Sequence, residues 1–455
     1  MLNRKLIFAA LSLPAYITAK AIAKRTIKNK VNSSLKKILR DPYKENLAEL
    51  VNAGKHTGIQ NVIEIDLKAA HGNLQTRPLG SPKRFNHFDN LMFLPQPISQ
   101  AYPLPVNTPV DLKVVLGPRA SKPLHINIPL MVSAMAYGLA LNQAVKIALA
   151  KGAKLAGTAV CSGEGPILPE ERKYAGKYIL QISRWPWGLR TDKQIAHADM
   201  LEVQMGQGAD MGVSVVSPQE IKGKARRLMK LGYKQQVSSL PAPPGINEPK
   251  DWPQFLAQLR KRSQGIPIAL KIMAGRVEED LAFAIEHGFD AVILDGAQGG
   301  SHASPPIVQD DFGIPSIYAL MKAVNYLNKI GMKDKMSLIV SGGYYSAGDC
   351  LKALALGADA IYLGTSILYA SASKQLNKTS PWEPPTELVF YQGQARRKYN
   401  YNLGAESVAN MLKSMVMEME YAMRIMGKKS LKELGPDDLI ALDDFSAQLT
   451  GVKKV

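Results

Sequence analysis

From Pro129 onward the chain alternates short apolar runs with longer stretches whose apolar residues return every three or four positions. The runs are Pro129 to Val132, Lys154 to Gly157, Tyr178 to Ile182, Leu201 to Val203, Ile268 to Ile272, Ala291 to Leu294, Leu338 to Val340 and Ile361 to Leu363. A short run that is apolar at successive positions marks a strand buried on both faces, as in a parallel sheet. Helical periodicity fills the gaps at Asn142 to Lys151, Pro218 to Leu231, Trp252 to Lys261, Val277 to His287 and Ile317 to Ile330. Alternation of this kind predicts parallel pairing through helical crossovers, and eight strands suit a closed (β/α)8 TIM barrel. A doubly wound open sheet is the alternative, but its glycine turn belongs after the first strand, whereas the best glycine turns here follow the last two.

The flanks have another texture. Residues 45–125 lack a long period and hold several prolines between Pro78 and Pro109, which predicts an irregular lead-in with one short strand at Asp111 to Leu116. Past the last strand, a loop with Pro381, Pro384 and Pro385 leads to a helix over Ala405 to Met426. Its Met411, Met415, Met419 and Met423 recur every four residues, a stripe suited to core packing. The expected division is therefore an arm over 1–44, a lead-in over 45–125, the barrel over 126–370 and a C-terminal helical extension over 371–455, packed on the barrel.

Charge changes the picture at the N-terminus. Residues 1–44 carry eleven lysines and arginines against Asp41 alone, more than half of the formal net charge of +19. The basic residues follow an apolar run from Leu6 to Ala23, an order that fits membrane contact better than nucleic acid. Three readings stand: a cleaved signal peptide, an anchor with its basic flank on the cytoplasmic side, and a basic amphipathic helix packed on the domain. Membrane association through residues 1–40 is the expectation. With only Cys161 and Cys350, the chain offers no disulfide framework, no four-cysteine zinc site and no three-thiolate ligation of an iron–sulfur cluster.

In a barrel, chemistry sits at the C-terminal strand ends. The last two end in Ser341-Gly342-Gly343 and Gly364-Thr365, where backbone N–H groups can approach an anion because no Cβ obstructs them; a phosphate belongs there. Lys271 lies inside the fifth apolar run, and a lysine buried without a partner is costly, so it is expected to point into the mouth toward an anion or an electron-rich ring. After the sixth run, Asp295, Gly296, Gly299 and Gly300 form a loop against which a cofactor can press, and His302 is a candidate proton donor. Ser133, Ala134 and Met135 follow the first run and could admit a flat ring. Glu164, Gln204 and Gln207 stand beside glycines and suit hydrogen bonds to a heterocycle's edge; Asp210 closes that last loop, and Arg184 follows the third run.

Together, Lys271, the loop from Gly296 to Pro305, Ser341-Gly342-Gly343, Gly348-Asp349, Gly364-Thr365, Ser162-Gly163-Glu164-Gly165 and Gln204 to Ala209 resemble the FMN-binding synthase domain of glutamate synthases, over roughly residues 85 to 445. The resemblance implies FMN with its phosphate on the glycines, Lys271 beside the flavin N1 and O2 atoms, and Ser133, Glu164 and Gln207 at the flavin or the substrate. It implies reductive amination of 2-oxoglutarate to glutamate by hydride transfer from reduced FMN. Three departures qualify it. The family's amidotransferase domain is missing; its three cluster cysteines have no counterpart in Ser366 to Lys378, so no iron–sulfur cluster is expected; and Gln204 and Asp210 stand where the family presents two lysines to its substrate. Ammonia would come free or from an amidotransferase subunit, and electrons from a pyridine nucleotide, an electron-donor protein or a membrane carrier. The small-molecule substrate, met by Arg184, Gln204 and Asp210, is 2-oxoglutarate or a less anionic compound. A flavoprotein subunit of a membrane-associated complex is the remaining alternative.

Overall fold

Eight short parallel strands close into a barrel in the computed structural model of the chain. They are β1 (Leu130–Val132), β2 (Ala159–Cys161), β3 (Lys177–Ile182), β4 (Met200–Gln204), β5 (Ile268–Met273), β6 (Ala291–Asp295), β7 (Ser337–Ser341) and β8 (Ala360–Leu363). The ring closes where Tyr362 on β8 stands opposite Met131 on β1. The structure describes residues 2–40, 42, 51–52, 54–99, 102–302, 304–379 and 384–455, so Pro381 of the expected loop lies outside the described residues. They fall into two units, 1–75 and 76–455.

Apart from Lys177, every barrel-strand residue is buried, so side-chain alternation sorts two cores rather than a core and a surface. One set, including Met131, Ile179, Met200, Ala269, Ile293 and Ile339, fills the barrel. An antiparallel hairpin, Val114–Leu116 with Leu124–Ile126, adds Leu116, Leu124 and Ile126 to that cluster. The other set, including Leu130, Leu180, Val203, Leu270, Val292, Leu338 and Ile361, meets the surrounding helices. Each such side chain contributes about 1.5–3 kcal/mol by burial.

Helices α1 (Gln143–Ala156), α2 (Trp252–Ser263), α3 (Val277–Glu286), α4 (Ser316–Lys329), α5 (Ala347–Ala355) and α6 (Thr365–Ala372) connect or follow the strands. The second apolar run differs from expectation. Lys154 to Ala156 complete α1, Gly157 caps it in the left-handed conformation at φ 75°, and the strand begins two residues later. The helix expected over Pro218 to Leu231 is likewise shorter, spanning only Gly223–Leu228. Beyond the barrel, α7 (Tyr401–Ile425) lies against α1 so closely that a Cβ on Gly152 would stand 2.7 Å from a Val408 methyl. Met415, Met419 and Met423 are buried, so the methionine stripe is core. A strand of the extension, Leu439–Ala441, pairs with Leu91–Phe93.

In the first unit, Leu2–Arg40 is one continuous helix, and Ile59–His71 is a second helix within the stretch read as irregular. Among the described residues, no helix is long and apolar enough to cross a membrane, so the spanning form of the anchor is not met.

One buried ion pair positions two of the mouth loops. The Lys146 ammonium on α1 donates to the carbonyls of Met135 at 2.6 Å and Ser162 at 3.0 Å, and lies 2.8 Å from the Glu171 carboxylate. Burial pushes the Glu171 carboxyl up to about 7, against the pull of Lys146. Replacing Lys146 by Met leaves that buried carboxyl with only the Tyr178 hydroxyl, at 3.5 Å, and is expected to cost about 3–5 kcal/mol in urea denaturation. The double change Lys146→Met, Glu171→Leu should recover most of the loss.

Candidate active site

Inside the barrel the apolar packing gives way, toward the C-terminal strand ends, to polar groups. The Glu202 carboxylate on β4, 0% exposed, accepts hydrogen bonds from Gln181 on β3 and from the Tyr362 hydroxyl on β8, both at 2.7 Å. Lys271 on β5 is 1% exposed; its Nζ lies 3.7 Å from an Asp295 carboxylate oxygen and 5.5 Å from the centroid of the Tyr362 ring. Burial works against the ammonium, but Glu202 and Asp295 outweigh it and hold its pKa above the ordinary lysine value. Lys271 thus enters the barrel as a cation.

The glycine ends of β7 and β8 stand next to the β6 loop. Gly342 and Gly343 have φ of 101° and 84°, open to glycine and strained for other residues. A Cβ on Gly342 would lie 3.0 Å from the Gly296 backbone, and one on Gly343 would lie 2.9 Å from Gln298 Cβ. At β8, Gly364 precedes the first turn of α6, and a Cβ there would meet nothing within 4 Å. Ser341 accepts from the Gly296 N–H at 2.9 Å, and a Cβ on Gly300 would lie 3.4 Å from the Thr365 hydroxyl oxygen. Bare backbone therefore lines an open position beside a helix N-terminus, an arrangement suited to a phosphate.

The β6 loop is strapped from outside. The backbones of Arg77 and Ser304 exchange hydrogen bonds at 3.0 and 3.3 Å, and the Leu79 N–H donates to Ser301. On its inner side the loop meets the β4 loop back to back: a Cβ on Gly208 would lie 2.7 Å from Gly299, and one on Gly299 would lie 2.6 Å from Gly208.

The mouth wall comes from the loops after β1 to β4. The N–H of buried Ser133 donates to Leu363 at 3.0 Å, and Ala134 and Met135 are part-buried beside it. The Glu164 carbonyl accepts from Trp187 Nε1 at 2.8 Å and from the Ser183 hydroxyl at 3.3 Å. Gln207 and Asp210 bridge one another through their backbones. Arg184, 3% exposed, has Nη2 3.9 Å from an Asp210 carboxylate oxygen. Burial, then the charge of Asp210, pushes the Glu164 carboxyl up to about 8; burial likewise raises Asp210. His302 packs edge-on against Phe390 at 4.8 Å, and burial lowers its pKa, which leaves the ring neutral near pH 7. The structure thus groups Glu164, Arg184 and Asp210 in one charge cluster that also feels Lys271, and turns His302 toward the extension.

Several buried polar atoms in this region have no partner within the chain: both amide atoms of Gln204, Oε1 of Gln181 and Gln207, Nε of Arg184, Oδ1 of Asp295 and Nε2 of Gln298. Each costs about 1–3 kcal/mol if left unpaired, so their gathering at one barrel end marks a place where a ligand completes the structure. Gln181, Glu202, Tyr362 and Gln298 were not singled out in the sequence. The signal for the first two was a polar residue inside an apolar run, the one that drew attention to Lys271. Among the described residues, no group of three or more His, Cys, Asp or Glu side chains could hold a metal ion.

A family model described as the conserved region in glutamate synthase matches residues 88–429. A glutamate synthase large subunit-like protein of Rhizobium meliloti (strain 1021) is 33% identical over 409 residues, which are 86% of this chain and 92% of that one. An archaeal-type glutamate synthase (NADPH) of Thermotoga maritima is 25% identical over 428 residues, 88% of this chain and 83% of that one. Among solved structures, a flavocytochrome b2 mutant with pyruvate bound shares the fold at a TM-score of 0.51 and 22% identity, with 80% of each chain covered.

Burial of Glu164 couples its proton to folding. The folded chain keeps this proton up to about pH 8, while the unfolded chain releases it near its ordinary value of 4.5. Stability from this group is therefore present in acid and lost as pH rises through that interval. Thermal melts between about pH 5 and 8 should show a fall in melting temperature that is shallower in Glu164→Gln.

Proposed function

Because the chain belongs to the glutamate synthase family, we propose that it is an FMN-dependent oxidoreductase acting at a carbon–nitrogen bond. The observation that carries this reading is the buried Lys271 ammonium surrounded by unpartnered polar atoms at the mouth of the barrel. The residues present fit FMN. Gly342, Gly343, Gly364 and Thr365 would hold its phosphate, with Ser341, Gly296, Gly299 and Gly300 against its length and Ser133 to Met135 beside its ring.

FMN, when bound, supplies a hydride donor and acceptor at N5. The chain's own part is electrostatic and positional. Lys271 would sit where its charge favours an anionic reduced ring, and Glu164, protonated near neutrality, can return a proton to a reacting nitrogen. The relatives' names point to glutamate formation by reductive amination of 2-oxoglutarate. Ammonia would arrive free or from an amidotransferase subunit, and electrons from a reduced pyridine nucleotide or an electron-donor protein. A specific observation favours a second reading, a less anionic substrate: Arg184 has Asp210 3.9 Å away, and Gln204 is uncharged. A dicarboxylate wants more cations than this wall offers.

The purified full chain should take up FMN and turn yellow, and a chain that takes up none on reconstitution would refute the reading. Lys271→Ala should make the bound flavin harder to reduce; a loss of about 1.4 kcal/mol in preference for the reduced ring lowers a two-electron potential by about 30 mV. An unchanged potential in redox titration would remove Lys271 from the ring.

We also propose that residues 1–40 contact an anionic lipid surface. Ile22, Ile27, Val31, Leu35 and Leu39 are exposed on the N-terminal helix among its lysines and arginines, which supports a helix lying in the interface. Changing Lys24, Arg25 and Lys28 to Glu should release the protein from anionic vesicles in flotation assays, with no effect on flavin content.

A further inference from the structure

Glu164, Arg184 and Asp210 come from three different loops, and their charges narrow the class of substrate. We propose that the mouth between the loops after β2, β3 and β4 binds a zwitterionic α-amino acid with an uncharged side chain, its ammonium on Glu164 and Asp210 and its carboxylate on Arg184. The proposal rests on the flavin oxidoreductase reading and names the substrate class of that same site.

The guanidinium is built for a carboxylate. Arg184 is buried at 3% exposure, and Nη1 donates to the Met211 carbonyl at 3.2 Å, which fixes the group's plane. Nη2 stands 3.9 Å from Asp210, beyond hydrogen-bond reach, and Nε has no partner. The edge formed by Nε and Nη2 is therefore free for a bidentate contact, the geometry in which arginine holds a carboxylate best.

The carboxyl groups supply the other half. Glu164 is anchored through its carbonyl by Trp187 and Ser183, and Asp210 by its backbone bridge to Gln207. Two carboxyls facing one guanidinium leave the wall neutral or negative, depending on whether they share a proton, as burial of both encourages. An incoming ammonium improves that balance. A second substrate carboxylate worsens it, because Lys271 is already flanked by Asp295 and Glu202 and Gln204 is neutral. After Asp210, the exposed Met211 has its sulfur over Gly206 of the same loop, apolar surface for an uncharged side chain.

The test uses the full-length, FMN-loaded protein, titrated with leucine, alanine, glutamate, lysine and 2-oxoglutarate while thermal shift and flavin absorbance are followed. Leucine or alanine should bind at least about tenfold tighter than glutamate or 2-oxoglutarate. Asp210→Lys should reverse that preference, and Glu164→Gln should weaken the amino acids while sparing 4-methyl-2-oxopentanoate, the 2-oxo acid of leucine, which has no ammonium. Tighter binding of either dicarboxylate to the unaltered protein, or no binding of any amino acid to a flavin-loaded protein that dithionite bleaches, overturns the proposal and leaves the flavin reading standing. Protein that takes up no flavin yet shows the expected amino-acid shifts would overturn the flavin reading and, with it, the assignment of these ligands as substrates.

Discussion

Lys271 carries a full charge into the barrel at 1% exposure, where a lone ammonium would cost several kcal/mol, a large share of what a fold this size has in reserve. Glu202 and Asp295 make it tolerable. Glu202 is itself a buried charge that depends on donors from Gln181 and Tyr362. The chain of dependence therefore runs from β5 to the adjacent β4 and β3, and from β4 straight across the barrel to β8. The apolar lower barrel closes the ring, and the polar layer above it sets the position of one cation at the mouth.

The two sides of the mouth are made differently. At β7 and β8 the walls are backbone, open at Gly364, and suited to an anion that needs many N–H donors and little side-chain selectivity. At β2 to β4 they are charged side chains on backbone that is itself tied down, Glu164 to the β3 loop, Arg184 by the Leu240 N–H, and Asp210 within its own loop by Gln207. The first arrangement suits a constant part, such as a phosphate. The second suits a part that varies, because Glu164, Arg184 and Asp210 can change one at a time without moving the frame that carries them.

Much of the barrel was legible because parallel strands buried on both faces leave apolar runs with glycine at their ends. One run misleads. Lys154 to Gly157 is as apolar as a strand, but it completes the helical period of the residues before it, and only the left-handed cap at Gly157 separates it from Ala159–Cys161. The phosphate cradle could be read because glycine reports backbone geometry directly. Lys271 could be read because an ammonium inside an apolar run is tolerated only where it meets opposite charge or a ligand. Glu202 sits in a comparable run, yet its partners Gln181 and Tyr362 belong to other strands, and only closure brings them within 2.7 Å. His302 reads as a loop histidine free for chemistry until the extension places Phe390 against it.

Gly208 and Gly299 meet with no room for a side chain on either. The loop carrying Gln207 and Asp210 and the loop carrying Gly299 and Gly300 are therefore mutually fixed at one bare contact, and neither glycine can be exchanged without displacing the other loop. For the evolution of substrate preference, this confines variation to the flanks of the contact. A lineage built on this scaffold can trade charges at positions 204 and 210 freely while the point between them stays closed to change.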